Sequence, residues 1–172
     1  MLETKVYDME FVDPIMATWT LLRQTWKGLD KAVESRLART GLTPEKTAIL
    51  WICKLHRGPL NPSEISRLIF REPQTIAGII NRMEKDGLVR RIPKRKGRPH
   101  TEIKLTPKGE ELCGPNIEVY KSTIQSLLSG LSEEEQEQFN RTLRKLRQRV
   151  LDEIHMELQV APGYAKPIPT DW

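Results

Sequence analysis

Apolar residues along much of this chain recur at steps of three and four, which is the period of an amphipathic helix. The first and longest series starts directly after Asp13-Pro14. Asp accepts hydrogen bonds from free backbone N–H groups and Pro suits the first helical position, so this pair predicts a helix start. Gly41 predicts its end. We expect one side of this helix to be buried, at Ile15, Trp19, Leu22, Trp26, Leu29, Val33 and Leu37.

Three shorter helices are predicted next, because similar start signals recur at close spacing. They stand at Thr43-Pro44, Asn61-Pro62 and Pro73. The third of these helices covers residues 73–86 and ends before Gly87, a residue that readily takes the left-handed conformation of a helix end. Its inward-facing positions are predicted to be Ile76, Ile79, Ile80 and Met83.

A hairpin is predicted after these helices. Val89–Ile92 and Glu102–Leu105 have strand-like composition and flank a polar segment. Three short helices followed by such a hairpin are typical of a winged helix-turn-helix, in which the third helix enters the major groove of DNA. The predicted fold is therefore mainly α, with a small two- or three-stranded antiparallel wing.

Two further helices are predicted towards the C-terminus. Thr106-Pro107 begins one of them, and a capping box of Ser132 and Glu135 begins the other, over residues 133–158. The long end helices carry more apolar surface than one small winged domain can cover, so we expect a homodimer that buries it. The predicted units are an arm and dimerisation helix (1–40), a winged domain (41–106), dimerisation helices (107–160) and a Pro-rich tail (161–172).

The distribution of charged residues supports a DNA-binding function. The 172 residues include 28 Lys or Arg and 23 Asp or Glu, a net charge of +5. Six of the basic residues lie between Val89 and His100, a stretch without an acid. Such a local concentration of cations beside one helix predicts contact with double-stranded DNA. We found no signal peptide and no apolar run of roughly 18 residues, so a cytoplasmic protein without membrane contact is expected.

The candidate DNA contacts fall into two groups. Polar side chains on the outer face of helix 73–86 and at the start of the helix-turn-helix would read bases, since Gln and Asn can pair with adenine and Arg with guanine. These residues are Ser63, Arg71, Gln74, Thr75, Gly78, Asn81, Arg82 and Lys85. Cations at the wing tip would contact phosphates or enter a minor groove. They are Lys94, Arg95, Lys96 and Arg98. Gly78 either permits close approach to DNA or packs against a neighbouring helix, and the sequence leaves both open.

Three segments carry a resemblance to a known family: LNPSEIS at 60–66, NRMEKDGLVRR at 81–91 and LTPKG at 105–109. Together they resemble the multiple-antibiotic-resistance regulator (MarR) family of bacterial transcription factors, over about residues 13–158. The family's wing usually carries an Asp near its start and an Asp-Arg pair at its tip. This chain has Lys94 and Gly97-Arg98 there. We therefore expect the wing of this chain to contact DNA almost entirely through cationic side chains.

The resemblance implies a homodimeric transcription regulator, expected to be a repressor, that binds a pseudopalindromic operator. It also implies a small effector, often an aromatic or phenolic anion, bound between the dimerisation helices and the winged domain. The candidates to line such a crevice are Trp19, Trp26, Trp51 and His56. The plainer interpretation is that the tryptophans belong to the core and that His56 complements a helix C-terminus.

Enzymatic chemistry is not expected. The three histidines and two cysteines lack a metal-ligand spacing, and the chain has no glycine-rich phosphate loop or nucleophile motif. We therefore expect no metal, no cofactor and no catalytic residue. Cys53 and Cys113 are interpreted as reduced core thiols rather than a redox switch. Two other functions stay open: a protein–protein adaptor or antirepressor built on the winged domain, and an architectural DNA-binding protein without an effector.

Overall fold

The structure, a computed structural model, describes Tyr7 and residues 11–56, 60–93 and 101–159. This part of the chain forms six α-helices and one antiparallel hairpin, in the predicted order. The elements are α1 (Pro14–Leu37), α2 (Pro44–Leu55), α3 (Pro62–Ile69), α4 (Pro73–Lys85), β1 (Val89–Ile92), β2 (Glu102–Leu105), α5 (Pro107–Leu128) and α6 (Glu133–Glu153). A short 3-10 turn, Ala38–Thr40, follows α1 and leads into Gly41, whose φ is 75°.

The predicted helix starts are confirmed. In α1, the Asp13 side chain accepts a hydrogen bond from the Ile15 N–H at 2.8 Å, and Pro14 takes the first helical position. Side chains at Thr43, Asn61 and Thr106 cap α2, α3 and α5 in the same way. The predicted capping box at the start of α6 is also present. These starts are local, since each joins a side chain to a backbone group two or three residues away.

A residue in the left-handed conformation follows each of the two helices α3 and α4. At the C-terminus of α4, Gly87 has a φ of 72°, and the Leu88 N–H donates to the Met83 carbonyl at 2.8 Å. At the end of α3, Phe70 takes the same conformation with a φ of 54° although it has a Cβ atom. Gly87 was predicted to end its helix, whereas nothing in the sequence pointed to Phe70.

The core lies between α2, α3, α4, the hairpin and the first half of α5. All four predicted inward residues of α4 are buried. Cys113 is fully buried and Cys53 partly, and both are free thiols. Burial raises the pKa of Cys53 to about 12, and the neighbouring Cys113 adds to this shift. Both cysteines are therefore protonated core thiols at neutral pH, as predicted.

The wing has two strands among the described residues. Val89 pairs with Leu105 and Ile92 with Glu102, so the strand bounds agree with the prediction. A backbone hydrogen bond from the Ile103 N–H to the Leu60 carbonyl, at 2.7 Å, attaches the segment before α3 to β2. This bond ties the hairpin to the helical part of the winged domain.

The end helices are largely uncovered in the single chain. In α1 only Val33 and Leu37 are buried, and Trp19 is 56% exposed, so the chain itself covers only the C-terminal end of the predicted apolar stripe. In α6 only Leu151 is buried. The predicted extension of α6 to residue 158 is wrong, because His155 adopts a φ of 54° and the Met156 N–H turns back to the Leu151 carbonyl. No helix of the described residues has the length and apolar character needed to cross a membrane.

Candidate nucleic-acid interface

The outer face of α4 carries the predicted base-reading side chains. At 100° per residue they occupy one arc of about 120°, opposite the buried apolar face. Gly78 is partly exposed and the other members of this arc are exposed: Gln74, Thr75, Asn81, Arg82 and Lys85. Ser63, at the start of α3, and Arg71, just before α4, are exposed as well. The fold thus brings α4's six predicted contacts onto one surface.

No other helix of the described residues packs against Gly78. A Cβ atom built at this position would find only the Arg82 Nη1 atom, at 3.9 Å, among the described side chains and neighbouring backbone within 4 Å. The interpretation that Gly78 permits close helix packing is therefore wrong. The missing side chain instead leaves open space on the outer arc of α4, beside the Arg82 guanidinium.

Arg91 joins the wing to α4. Its backbone N–H donates to the Glu84 carboxylate at 3.0 Å, and its guanidinium forms an ion pair with the same carboxylate. The guanidinium also donates to the Asn81 side-chain oxygen at 2.5 Å. Arg91 therefore fixes both the hairpin relative to α4 and the orientation of the Asn81 amide.

The sequence contains a signal for this bridge. Residues two apart in a strand point to the same side, so Arg91 shares its side with the buried Val89 and faces α4. Glu84 follows the buried Met83 and lies at the edge of the core face of α4. Arg91 was counted among the cations of the hairpin but not among the candidate site residues.

Arg71 is held at the entrance to α4. Its side chain forms an ion pair with Glu45, in the first turn of α2, at 3.1 Å. Its backbone is fixed by Ser66, whose hydroxyl donates to the Arg71 carbonyl at 2.9 Å. The guanidinium remains about half exposed. A phosphate could therefore bind Arg71 in competition with Glu45 or alongside it.

Two of the segments that carry the family resemblance meet in space. The Thr106 N–H donates to the Leu88 carbonyl at 3.1 Å, and the Thr106 hydroxyl donates to the Gly87 carbonyl at 2.5 Å. A Cβ atom at Gly109 would lie 2.0 Å from the Leu88 oxygen. The start of α5 can approach the end of α4 this closely only because residue 109 is a glycine.

Asp86 adds an electrostatic contact at the same junction. The Lys46 ammonium lies 2.7 Å from the Asp86 carboxylate, and Lys108 donates to the Asp86 carbonyl at 2.8 Å. The hydrogen bond from Lys46 lowers the pKa of Asp86, with smaller contributions from the charges of Lys46, Lys108 and Arg82. The end of α4 is thus tied to both α2 and α5.

The predicted wing-tip contacts Lys94, Arg95, Lys96 and Arg98 lie outside the described residues. At the base of the wing, Lys104 forms an ion pair with Glu102 at 3.3 Å, and Arg90 is exposed on the side of β1 opposite Arg91. The base of the wing is therefore cationic, and its charges are directed to both sides of the hairpin.

The four candidate effector residues do not share one cavity. Trp26 lines a cavity of about 200 Å³ between α1, the start of α2 and α5, together with Asp30, Tyr120 and Leu127. Trp51 lies outside this lining and packs edge-to-face on Tyr120, with ring centroids 6.5 Å apart. Trp19 lines neither this cavity nor the one beside the wing strands. His56 lines the other one, of about 810 Å³, beside the wing strands.

Comparison with known proteins identifies the family. The MarR family profile matches residues 42–97. The transcriptional regulator PecS of Dickeya dadantii is 27% identical over 126 residues, which cover 72% of this chain and 75% of PecS. The chain belongs to the MarR family. The transcriptional repressor IacR of Pseudomonas putida is 30% identical over 111 residues, which cover 64% of this chain and 66% of IacR.

Solved structures agree with this MarR assignment at the level of the fold. The organohalide-sensing transcriptional regulator RdhR-CbdbA1625, in its ligand-free form, matches with a TM-score of 0.78 at 24% identity, covering 97% of this chain and 99% of that one. The form of that regulator bound to 2,4-dichlorophenol matches with a TM-score of 0.79. The chain has the winged helix-turn-helix fold of the family, and it is a DNA-binding transcription regulator.

Proposed function

We propose that this protein is a homodimeric repressor that reads a pseudopalindromic operator with α4 in the major groove. The observation that carries the proposal is the exposed polar arc of α4, with Asn81 oriented by the Arg91–Glu84 bridge. A fixed amide next to an exposed Arg82 supplies a preorganised set of donors and acceptors for base edges. The relative IacR bears the name of a repressor, which supports repression here.

The remaining predicted contacts would position the protein rather than read sequence. Ser63 and Arg71 lie at the starts of α3 and α4, where phosphates are commonly bound. The cations at 94–96 and Arg98 would add affinity through phosphate or minor-groove contacts. Gly78 would let the backbone of α4 lie close to the DNA. Residues 41–106 would form the DNA-binding unit in this arrangement.

Dimerisation is supported by the apolar surface that the single chain leaves uncovered. Trp19, Trp26 and Ile15 of α1 are 56%, 59% and 75% exposed, and Phe139 and Val150 of α6 are 44% and 45% exposed. Burying such side chains stabilises by roughly 25 cal/mol per Å² of apolar area, and a second copy offers a matching surface. Segments 1–40 and 107–160 would then be dimerisation elements.

An effector would bind in the cavity lined by Trp26 and Tyr120. This cavity lies between α1, a proposed dimerisation helix, and α2 of the winged domain. A ligand there would change the spacing between α1 and the winged domain, and hence the distance between the two α4 helices of the dimer. This requires that the ligand binds two conformations of the dimer with different affinity. The binding of 2,4-dichlorophenol to RdhR-CbdbA1625 supports a small aromatic effector.

Fluorescence anisotropy with DNA from upstream of the protein's own gene tests the proposal. Arg82→Ala should weaken binding to the preferred sequence by about 1–3 kcal/mol and relax base preference at one position of each half-site. Lys121→Gln, which removes one exposed charge from α5, is the matched control and should change neither. An unchanged base preference in Arg82→Ala would contradict the proposed role of α4.

The same titration separates the alternatives. A protein–protein adaptor would retain DNA weakly and without regard to sequence, even in the wild type. An architectural protein would bind DNA, but no small molecule would alter its affinity.

A further inference from the structure

The cavity between α1, α2 and α5 has an unusual charge for an apolar pocket. Its walls include Trp26, Leu29, Ile124 and Leu127. Among the described residues, Asp30 is the one lining residue that is charged at neutral pH. No Lys, Arg or His lines it among the described residues. The cations nearest along α1, Lys27 and Lys31, are exposed and absent from the lining.

The Asp30 carboxylate has no partner in the described part of the chain. It accepts no hydrogen bond there and belongs to none of the ion pairs, whereas the nearby Glu45 is paired with Arg71. Asp30 is also partly buried. A carboxylate beside apolar walls is costly unless a donor or a cation meets it. The position therefore suits the polar group of a ligand.

Tyr120 provides the second polar group of this cavity. Burial raises the pKa of its phenol, and the charges of Asp30 and Glu45 raise it further. The hydroxyl is therefore neutral at physiological pH and can donate or accept one hydrogen bond. The rings of Tyr120 and Trp26 supply aromatic faces, which attract cations.

We propose that the effector of this cavity is a small aromatic amine, held by Asp30 and the aromatic walls, rather than an aromatic carboxylate. The inference rests on the proposed function, because it specifies the ligand class of the same cavity. It reverses the charge of the effector anticipated from the family resemblance. The volume, about 200 Å³, is enough for one ring, since an engineered cavity of about 150 Å³ binds benzene.

Three probes that differ in charge test the inference: 2-phenylethylamine, 2-phenylethanol and phenylacetate. Each carries one phenyl ring and a polar end, which is positive, neutral or negative at pH 7. We would measure their dissociation constants for the full chain by isothermal titration calorimetry, with and without operator DNA. The amine should bind at least ten-fold more tightly than phenylacetate, and the alcohol should lie between them.

The variant Asp30→Asn should remove this order. Its amine affinity should fall at least ten-fold, while its phenylacetate affinity should be equal or higher. Glu34→Gln, one turn further along α1 and outside the cavity lining, removes the same charge and should leave the order intact. Trp26→Ala should weaken all three probes if the cavity is the site.

The outcomes separate this inference from the proposed function. Binding of phenylacetate as tight as that of the amine would overturn the inference while leaving an effector site in place. Amine binding that survives Asp30→Asn would also overturn it, as would loss of the dimer in Asp30→Asn, since Asp30 would then pair with a second copy. Specific DNA binding without any probe binding would overturn both the inference and the effector part of the proposed function.

Discussion

Replacing Gly109 with alanine should destabilise the fold, although alanine is the better helix former. Residue 109 lies in the first turn of α5, against the backbone of Leu88. A Cβ atom there would lie 2.0 Å from the Leu88 oxygen, whereas ordinary contact begins at 3.4 Å. The Leu88 carbonyl cannot turn away freely, because it accepts the hydrogen bond of the Thr106 N–H. The junction between α4 and α5 must therefore open.

The size of the effect follows from three contributions. Overpacking costs about 1–3 kcal/mol, and loss of the Thr106 bond adds about 1 kcal/mol. The helix preference of alanine returns up to about 1 kcal/mol. The net loss in unfolding free energy should be about 1–4 kcal/mol, which lowers the Tm by about 2–16 °C for a chain of this size.

Urea unfolding followed by circular dichroism, at one fixed protomer concentration, measures this change. Gly78→Ala is the matched control, because its Cβ would meet only the Arg82 side chain at 3.9 Å. That variant should gain about 0.4–1 kcal/mol. A Gly109→Ala protein as stable as the wild type would show that the contact between α4 and α5 does not constrain residue 109.

Three further predictions address the site. Arg91→Ala should weaken operator binding more than Arg90→Ala, because both variants remove one charge but only Arg91 orients Asn81. Equal losses of affinity in anisotropy titrations would count against the Arg91–Glu84 bridge as a determinant of DNA binding. Neutralising the three cations at 94–96 should weaken binding to all sequences alike and flatten its salt dependence, and an unchanged salt slope would contradict the wing assignment. Asp86→Asn should lose up to about 1 kcal/mol of stability at pH 7. Because folding lowers the pKa of Asp86, this difference should persist above its ordinary value of 3.8 and vanish as the pH falls below the folded pKa. A difference that stays constant in chemical denaturation down to pH 2 would exclude the Lys46–Asp86 contact as its source.

Local signals explain why so much of the fold could be predicted. Asp13, Thr43 and Thr106 each cap a helix through a backbone group two or three residues away, so the sequence alone contains both partners. The apolar face of α4 follows the helical period, and all of its predicted inward residues are buried. The strands agree to the residue because polar and turn-forming segments bound them on both sides.

Contacts between distant parts of the chain, and with other chains, could not be predicted in the same way. The coverage of α1 could not be predicted from its apolar period, because the described part of the chain leaves Trp19 and Trp26 more than half exposed. The left-handed Phe70 has no local signature, since glycine is the residue normally expected there. The role of Arg91 depends on the packing of β1 beside α4, which brings Arg91 within hydrogen-bond distance of Asn81 and Glu84.

The candidate site shows the same division. The exposed arc of α4 follows from helical geometry, so its members could be named from the sequence. The effector candidates were chosen by residue type, and the fold separates Trp26 from His56 into different cavities. Asp30 was overlooked because an acid on an otherwise amphipathic helix is ordinarily a surface residue. Asp30 becomes a candidate ligand-binding residue only because the fold places it in the wall of this cavity.

Selection of bound sequences from a random pool of duplex DNA tests the central claim most directly. The wild-type protein should enrich a pseudopalindrome whose half-site centres lie about 10–10.5 base pairs apart, as two α4 helices of a two-fold dimer require. Arg82→Ala should lose preference at one symmetric pair of positions within that motif. Enrichment of no motif, or of a single asymmetric half-site by the wild type, would contradict a dimer that reads DNA with α4.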